Sequence, residues 1–183
     1  EMRSNAVKAL IVACIFMLFY IWFRFKDIRF AGSAIIALVH DVLVMLTGYA
    51  LIRISVGNTF IACILTIVGY SINDTIVIFD RIRENMKGMK KQTPETLAEV
   101  ANRSLTQTLS RSLNTSITTI IMVLLLFILG VSSIREFALP LMIGLISGTY
   151  SSIFIAAALW YVMKLHLGKD KLLKPAVAKT KKK

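Results

Sequence analysis

The sequence is poor in charged residues. Charged side chains make up 17% of its 183 residues, whereas an ordinary soluble domain carries about 25% charge. Apolar side chains make up 56% of the sequence, and the mean hydropathy is +0.71. This composition excludes a disordered chain and a disulfide-rich scaffold, and it argues against a soluble globular domain.

Cysteine is scarce as well. The two cysteines, Cys14 and Cys63, lie in apolar runs and far from any CxxC spacing, so we expect buried apolar side chains, no disulfide and no metal site. The HExxH and GxSxG signatures of metalloproteases and serine hydrolases are also missing. We therefore expect no enzymatic activity and no cofactor.

Acidic residues are few, and this makes the chain strongly basic. Ten Asp and Glu stand against 22 Lys and Arg, which gives a net charge of +12. A high isoelectric point alone would suggest a nucleic-acid partner. Because the chain is so apolar, we expect its basic residues to face anionic lipid headgroups instead, and we expect no nucleic-acid partner.

Five apolar stretches are long enough to cross a membrane, which takes about 20 mostly apolar residues. They lie at about 7–23, 28–52, 56–79, 112–131 and 137–163. The sequence therefore predicts an all-α fold, a polytopic membrane bundle of five transmembrane helices within residues 1–167. A basic tail follows at 168–183, which we expect to be solvated and to touch anionic lipid.

The distribution of basic residues sets the orientation. Of the 22 Lys and Arg residues, 18 lie on one side of the predicted bundle and 4 on the other. The positive-inside rule then places the C-terminus in the cytoplasm and the N-terminus outside. Because the sequence starts at Glu1 without a signal peptide, we expect it to be part of a longer polypeptide with a further span upstream.

The long loop at 84–111 is predicted to be cytoplasmic and to contain an amphipathic helix. Thr93, Pro94 and Glu95 are typical of a helix start, with threonine as N-cap and proline in the first turn. Apolar residues then recur at spacings of three and four, at Leu97, Val100, Ala101, Leu105 and Leu109. This stripe predicts a helix that lies against the membrane face or the bundle.

Polar residues inside the predicted spans are costly in hydrocarbon, so each is a candidate functional residue. The candidates for proton coupling are His40, Asp41, Asn73, Asp74, Arg111 and Asn114. Residues three or four apart share a helix face. The polar faces predicted in this way are Thr66, Tyr70, Asn73 and Asp74 in span three, and Arg111, Asn114, Thr115 and Thr118 in span four. We expect the two faces to pack together, with Arg111 within reach of Asp74.

Such a pair would make the charge of Asp74 depend on conformation. Burial disfavours the charged carboxylate, whereas a nearby guanidinium favours it. Small movements of Arg111 would then switch Asp74 between its protonated and ionised forms, as a proton-coupled machine requires. For His40 and Asp41 two interpretations remain open, a functional one and hydrogen bonding between helices that stabilises the bundle.

Small residues in span five form a G-x-x-x-G pair, Gly144 and Gly148. Small side chains let helix backbones approach closely, so we interpret this pair as a helix-packing site.

Three stretches carry a family resemblance. They are VGYSINDT at 68–75 running into FDRIREN at 79–85, RSLNTS at 111–116, and FALPL at 137–141 together with Gly144, Gly148 and YSSIF at 150–154. His40 and Asp41 also fit the pattern. Over residues 28 to 163 the sequence resembles the SecF family, the membrane subunits of bacterial SecDF protein-export complexes in the resistance-nodulation-division superfamily.

The resemblance implies a function and a set of partners. Asp74 would be the proton-carrying carboxylate and Arg111 its partner, in a multi-pass protein of the bacterial inner membrane that uses the proton gradient to assist preprotein export. SecD, the SecYEG translocon and the translocating preprotein would be the partners. Family members have six spans with a large extracytoplasmic domain between the first two, and this sequence lacks the first span and that domain.

Three alternatives remain open. The first is another proton-coupled transporter of the same superfamily that moves small molecules or lipids. The second is an intramembrane aspartyl hydrolase, which would need facing carboxylates; Asp41 and Asp74 are the candidates, but we expect them at different depths. The third is a structural bundle that only anchors partners.

Overall fold

The elements that the structure describes are all helical. The computed structural model describes residues 2–53, 57–87, 89 and 93–167, without the side chains of 2–7, 9, 10, 14 and 58. The helices are α1 (Met2–Phe25), α2 (Ile28–Ile52), α3 (Asn58–Lys87), α4 (Pro94–Leu129) and α5 (Ser132–Tyr150), then a π-helical segment (Ser151–Ala156) and α6 (Ala157–His166). The predicted tail at 168–183 and the side chain of Cys14 lie outside this description.

Four helical runs are long and apolar enough to cross a membrane. They are α2, α3, α4 and the continuous run from α5 through α6. The predicted span at 28–52 coincides with α2, whereas α1 contains a shorter apolar stretch, Ile11–Phe25. The all-α prediction is therefore confirmed for the described residues, and four of the five predicted spans meet the criteria of length and apolar composition.

The separate amphipathic helix is not found as predicted. α4 is a single helix of 36 residues that contains both the predicted amphipathic segment and the fourth span. Its start agrees with the prediction, because Thr93 is the N-cap, forms a capping box with Thr96 and precedes Pro94 in the first turn. No proline or glycine follows until Gly130, so nothing in the sequence interrupts the helix at the boundary between its two parts.

α5 is the central helix of the bundle and packs against α2, α3 and α4. Its small residues allow this close approach. A methyl group added at Gly144 would overlap the Ile67 side chain of α3, and one added at Gly148 would lie 3.2 Å from the Cβ atom of Ser71. The run from α5 to α6 changes to π-helical geometry between Ser151 and Ala156.

One end of the bundle, which we call the basic end, is formed by the last turns of α1, α3 and α6 and the first turns of α2 and α4. Salt bridges connect these turns: Arg24 on α1 pairs with Asp80 on α3 at 2.9 Å, and Lys164 on α6 pairs with Asp27 before α2 at 3.4 Å. Next to them lies a cluster of stacked and edge-on rings made of Phe25, Phe30, Phe79 and Trp160. These contacts connect α1, α2, α3 and α6 at this end of the bundle.

Two apolar clusters make up the core. One surrounds Phe30, Phe79 and Trp160 near the basic end, and the other surrounds Met45, Ile67 and Leu145 further away. Along α2, along α3 and from α5 into the π-helical segment, residues of one cluster give way to residues of the other near buried polar side chains. The two buried carboxylates, Asp41 and Asp74, lie close to this change.

Candidate functional site

Asp74 lies inside the bundle, on the side of α3 that faces α4. Its side chain is 8% exposed, and its Oδ1 atom accepts a hydrogen bond of 2.6 Å from the hydroxyl of Ser112 on α4. Its Oδ2 atom is buried and has no hydrogen-bond partner among the described residues. A buried carboxylate oxygen without a donor is costly when charged, so this group is suited to bind a proton.

Arg111 is the residue before Ser112 and lies at the surface of α4. It interacts electrostatically with Asp74, but the described residues contain no ion pair of 4.0 Å or less between the two side chains. Arg111 therefore lies beyond ion-pair distance of Asp74, at a range where its charge still acts on the carboxyl group. A small movement of the long arginine side chain would change its strength.

Arg111 lines a polar cavity of about 430 Å³ that opens at the basic end. The lining residues are Val77, Asp80, Arg81, Glu84, Gln107, Thr108 and Arg111. Val77 and Thr108 lie one helical turn from Asp74 and Ser112, respectively, towards the basic end. The cavity therefore comes within about one turn of the buried carboxylate.

Hydrogen bonds fix the outer part of this cavity. Arg81 donates to Glu84 at 2.6 Å and to the side-chain oxygen of Gln107 at 2.7 Å, and this oxygen also accepts from Asn85 at 3.0 Å. The network connects α3 to α4 through charged groups at the surface. Its members are hydrophilic enough to keep the cavity wet.

On the other side of Asp74, away from the basic end, hydroxyl groups continue between the helices. The hydroxyl of Tyr70 donates to Ser116 at 3.1 Å, and Ser116 shares a hydrogen bond of 2.7 Å with Thr149 on α5. Tyr70 and Ser116 each lie one turn from the pair of Asp74 and Ser112. Polar groups thus flank the carboxylate on both sides along the bundle.

The inward face of α4 differs from the predicted one. The predicted residues Arg111, Asn114, Thr115 and Thr118 are exposed, as is Asn73 on α3. The buried polar residues of α4 recur every four positions, at Ser104, Thr108, Ser112 and Ser116. The prediction gave more weight to the larger polar groups, whereas small hydroxyls are the ones that fit between closely packed helices.

Asp41 forms a second buried site with different chemistry. Its side chain is fully buried, and its Oδ2 atom accepts hydrogen bonds of 2.6 Å from both Ser71 on α3 and Ser151 in the π-helical segment. Its Oδ1 atom accepts one of 2.9 Å from Ser147 on α5. The half-exposed ring of His40 contacts the same Oδ1 atom through Nδ1 at 3.2 Å. Asp41 thus connects α2, α3 and α5.

Comparison with known proteins identifies the family of the chain. The family model for protein export membrane protein SecD/SecF, C-terminal, matches residues 1–166. The chain belongs to the SecD/SecF family. Within that family it is 52% identical over 160 residues to the protein translocase subunit SecF of Alicyclobacillus acidocaldarius, covering 87% of this chain and 52% of that protein. It is 46% identical over 164 residues to the protein translocase subunit SecDF of Bacillus subtilis, covering 90% of this chain and 22% of that protein.

A solved structure gives the same result for the fold. The crystal structure of SecDF from Thermus thermophilus, a translocon-associated membrane protein, matches with a TM-score of 0.82 and 46% identity, covering 88% of this chain and 22% of that one. The chain therefore spans about half the length of the SecF relative and about a fifth of the SecDF chains. With its four long apolar helices, this SecD/SecF family member is a membrane protein.

Sequence reasoning found both carboxylates of this SecD/SecF bundle and His40, but it missed the serines that donate to the carboxylates. The missed donors are Ser112 for Asp74, and Ser71, Ser147 and Ser151 for Asp41. A signal was available for α4, because Ser104, Thr108, Ser112 and Ser116 are spaced by four. Which serine meets which carboxylate depends on the packing of α5 and cannot be read from spacing.

Proposed function

We propose that this chain is the membrane part of a SecF-type subunit that couples proton movement through Asp74 to the export of preproteins. The observation that carries the proposal is the state of the Asp74 side chain. It is buried between α3 and α4, has a hydroxyl donor on one oxygen and none on the other, and lies near a guanidinium. A group in this state can gain or lose a proton when the helices move slightly.

In this proposal Arg111 controls the charge of Asp74 from the basic-end cavity. When its guanidinium approaches, the ionised carboxylate is favoured and the proton leaves through the cavity; when it withdraws, burial favours the protonated acid. Transfer of one charge through about 100 mV supplies about 2.3 kcal/mol. That energy is enough to bias two arrangements of a helix bundle against each other.

The exposed polar side chains within the apolar helices support an association with SecD. We call Asn73, Asn114, Thr115 and Thr118 the polar outer face. The hydroxyls of Thr115 and Thr118 donate to backbone oxygens of their own helix. The exposed amides of Asn73 and Asn114 would be costly in hydrocarbon, so this face is better suited to another protein bundle than to lipid. The relatives named SecDF support SecD as that partner; the SecYEG translocon and the preprotein are the further partners we propose.

We further propose that the basic end faces the cytoplasm of a bacterial cell and that the protein lies in the inner membrane. The basic residues at this end, among them Arg24, Arg81 and Arg83, support this orientation through the positive-inside rule. Their charge also favours contact with anionic lipids. Asn73 and Asn114 were predicted at the proton site. In this proposal they belong to the polar outer face and contribute to the association with SecD.

His40 and Asp41 stay predicted members of the proton-coupling set. The separation of the two acids argues against a hydrolase, because Asp41 is bonded to serines and His40, and Asp74 to Ser112. An aspartyl hydrolase needs two carboxylates that share a proton. A non-enzymatic role in a translocase is the function that fits both sites.

Export driven by a proton gradient tests the proposal. The full-length subunit with SecD is reconstituted with the translocon, and export of a preprotein is followed with and without the gradient. We expect Asp74→Asn to remove the part of export that depends on the gradient, while Glu136→Gln, which changes an exposed acid of α5, leaves it unchanged. Full gradient-dependent export by Asp74→Asn would contradict the proposal, and gradient-driven efflux of small molecules instead of export would favour the alternative transporter.

A further inference from the structure

Asp41 accepts hydrogen bonds from three serine hydroxyls, whereas Asp74 accepts one. Three serine hydroxyls, one each from α3, α5 and the π-helical segment, donate to its two oxygens, at 2.6, 2.6 and 2.9 Å. Each hydroxyl has a single proton to donate. A charged carboxylate is the stronger acceptor for all three, whereas protonation places a hydrogen on one oxygen and weakens that oxygen as an acceptor for the serine hydroxyls.

The surroundings of Asp41 contain little that could exchange a proton with it. Its side chain is fully buried, and among the described residues His40 is the one ionisable side chain within 4.0 Å of its oxygens. The partners that face it from α3, α5 and the π-helical segment are the serines. Their contacts compensate the charge through hydrogen bonds.

The serine contacts of Asp41 continue to the residue next to Asp74. Ser71 lies on α3 one turn from Thr75, and Ser152 donates to the backbone oxygen of Ser71 at 3.2 Å. The hydroxyls of Ser152 and Thr75 share a hydrogen bond of 2.8 Å. The π-helical segment is therefore held to α3 at two points, three residues before Asp74 and one residue after it.

We propose that Asp41 is a positioning residue that holds the π-helical segment to α3 through serine hydroxyls, rather than a second proton carrier. It acts on Asp74 through the backbone of α3, whose orientation sets how closely Asp74 faces Ser112. A π-helical segment has looser backbone hydrogen bonding than an α-helix and often occurs at functional sites. Because Asp41 binds both this segment and α3 through hydrogen bonds, α5, which directly precedes the segment, has a defined position against α3. The proposal rests on the proposed function only for the role of Asp74.

The protonation part is tested by chemical modification of the full-length subunit assembled with SecD. Dicyclohexylcarbodiimide reacts with protonated carboxyl groups in apolar surroundings, and the modified residues are located by mass spectrometry over a range of pH. We expect an adduct on Asp74 that increases as the pH falls and none on Asp41 while the complex stays folded. An adduct on Asp41 with its own pH dependence would overturn the proposal.

The positioning part is tested with Ser151→Ala and Ser71→Ala, which keep the carboxylate and remove one donor each. We expect the rate of Asp74 modification to change by about threefold, which corresponds to one interhelical hydrogen bond. Ser33→Ala is the matched control, because Ser33 is an equally buried serine of α2 that bonds only to backbone oxygens of its own helix. Equal rates in Ser151→Ala and Ser33→Ala would overturn the positioning role.

A second measurement does not depend on Asp74. Cysteines placed at Thr75 and Ser152, with Cys14 and Cys63 replaced by alanine, report the contact between α3 and the π-helical segment through disulfide formation. We expect Ser151→Ala to change the cross-linking rate by about threefold and Ser33→Ala to leave it unchanged. If Asp74 gains no adduct at any pH, the proposed function fails; if cross-linking is insensitive to Ser151→Ala, the fastening by Asp41 fails.

Discussion

Asp74 and Asp41 are two buried carboxylates on neighbouring helices, and they differ in how many donors they meet. Asp74 has one hydrogen bond and one buried oxygen without a partner. Asp41 has three serine donors and a histidine contact. The difference shows that burial alone does not identify a proton carrier, because the number of donors decides how costly the charged form is.

The two sites also differ in access. A polar cavity of about 430 Å³ reaches within about one turn of Asp74 from the basic end. Asp41 is enclosed where α5 packs closely against α3, next to Gly144 and Gly148. An acid that exchanges protons needs such a route, whereas an acid that holds helices together is better enclosed.

Gly144→Ala is expected to have the largest effect on the difference between the Asp41 and Asp74 sites. The added methyl group would overlap Ile67 and push α5 away from α3, so Ser147 and Ser151 would lose their contacts with Asp41. We expect the free energy of unfolding to fall by about 3 kcal/mol, the upper part of the range for overpacked cores. Thermal unfolding of the purified full-length complex measures it. Gly69→Ala is the control, since nothing lies within 4 Å of the added atom; equal losses in both variants would contradict the close packing at Gly144.

The next largest effect is expected when Asp41 and Asp74 are each replaced by asparagine and the stabilities of the two variants are compared. Asp41→Asn leaves serine hydroxyls without their charged acceptor, and three interhelical hydrogen bonds at about 0.6 kcal/mol each predict a loss of about 2 kcal/mol. Asp74→Asn keeps one oxygen that can accept from Ser112 and places an uncharged amide nitrogen at the other position, where Oδ2 has no partner, so we expect it to change stability by less than about 1 kcal/mol. The same unfolding measurement on both variants checks this. Equal destabilisation by the two substitutions would contradict the distinction between Asp41, which holds helices together, and Asp74, which carries the proton.

A smaller effect is expected at the polar outer face. Asn114→Leu replaces an exposed amide with an apolar group. We expect association of the full-length subunit with SecD to weaken about tenfold, or about 1.4 kcal/mol, as measured by co-purification over a dilution series. Met122→Leu changes an exposed apolar residue of the same helix and serves as the control. Unchanged association in Asn114→Leu would mean that this face does not meet SecD.

The smallest effect is expected from Thr93→Ala. It removes the N-cap of α4, which costs about 1 kcal/mol, far along the helix from Ser112. We expect thermal stability to fall slightly and gradient-dependent export to stay unchanged. Thr106→Ala, an exposed threonine of α4 that bonds to a backbone oxygen of its own helix, should affect neither. Loss of export with Thr93→Ala would show that the Asp74 site depends on the whole of α4.

Much of the fold follows from the sequence because helices in lipid are specified by long apolar runs. The bounds of α2 and the start of α4 at Thr93 were both predicted, since composition and capping are local properties. The continuity of α4 was not, because an amphipathic stripe and an apolar run were assigned to separate helices. A change in pattern does not end a helix unless the backbone is interrupted.

The candidate site was predicted only in part. Asp74 and Asp41 stand out because charge in an apolar run is costly. Their partners did not, because serine is common in such helices and its role depends on which helix lies opposite. The inward face of α4 was assigned to Asn114 and Thr118 instead of Ser112 and Ser116 for this reason. Close packing at Gly144 and Gly148 decides which hydroxyls reach a carboxylate.

The most direct test of the central claim is an infrared pH titration of the full-length complex, which detects the carbonyl stretch of protonated carboxyl groups. We predict a band that appears as the pH falls, disappears in Asp74→Asn and persists in Asp41→Asn. A band that persists in Asp74→Asn and disappears in Asp41→Asn would show that the other acid carries the proton and would contradict the roles assigned to both.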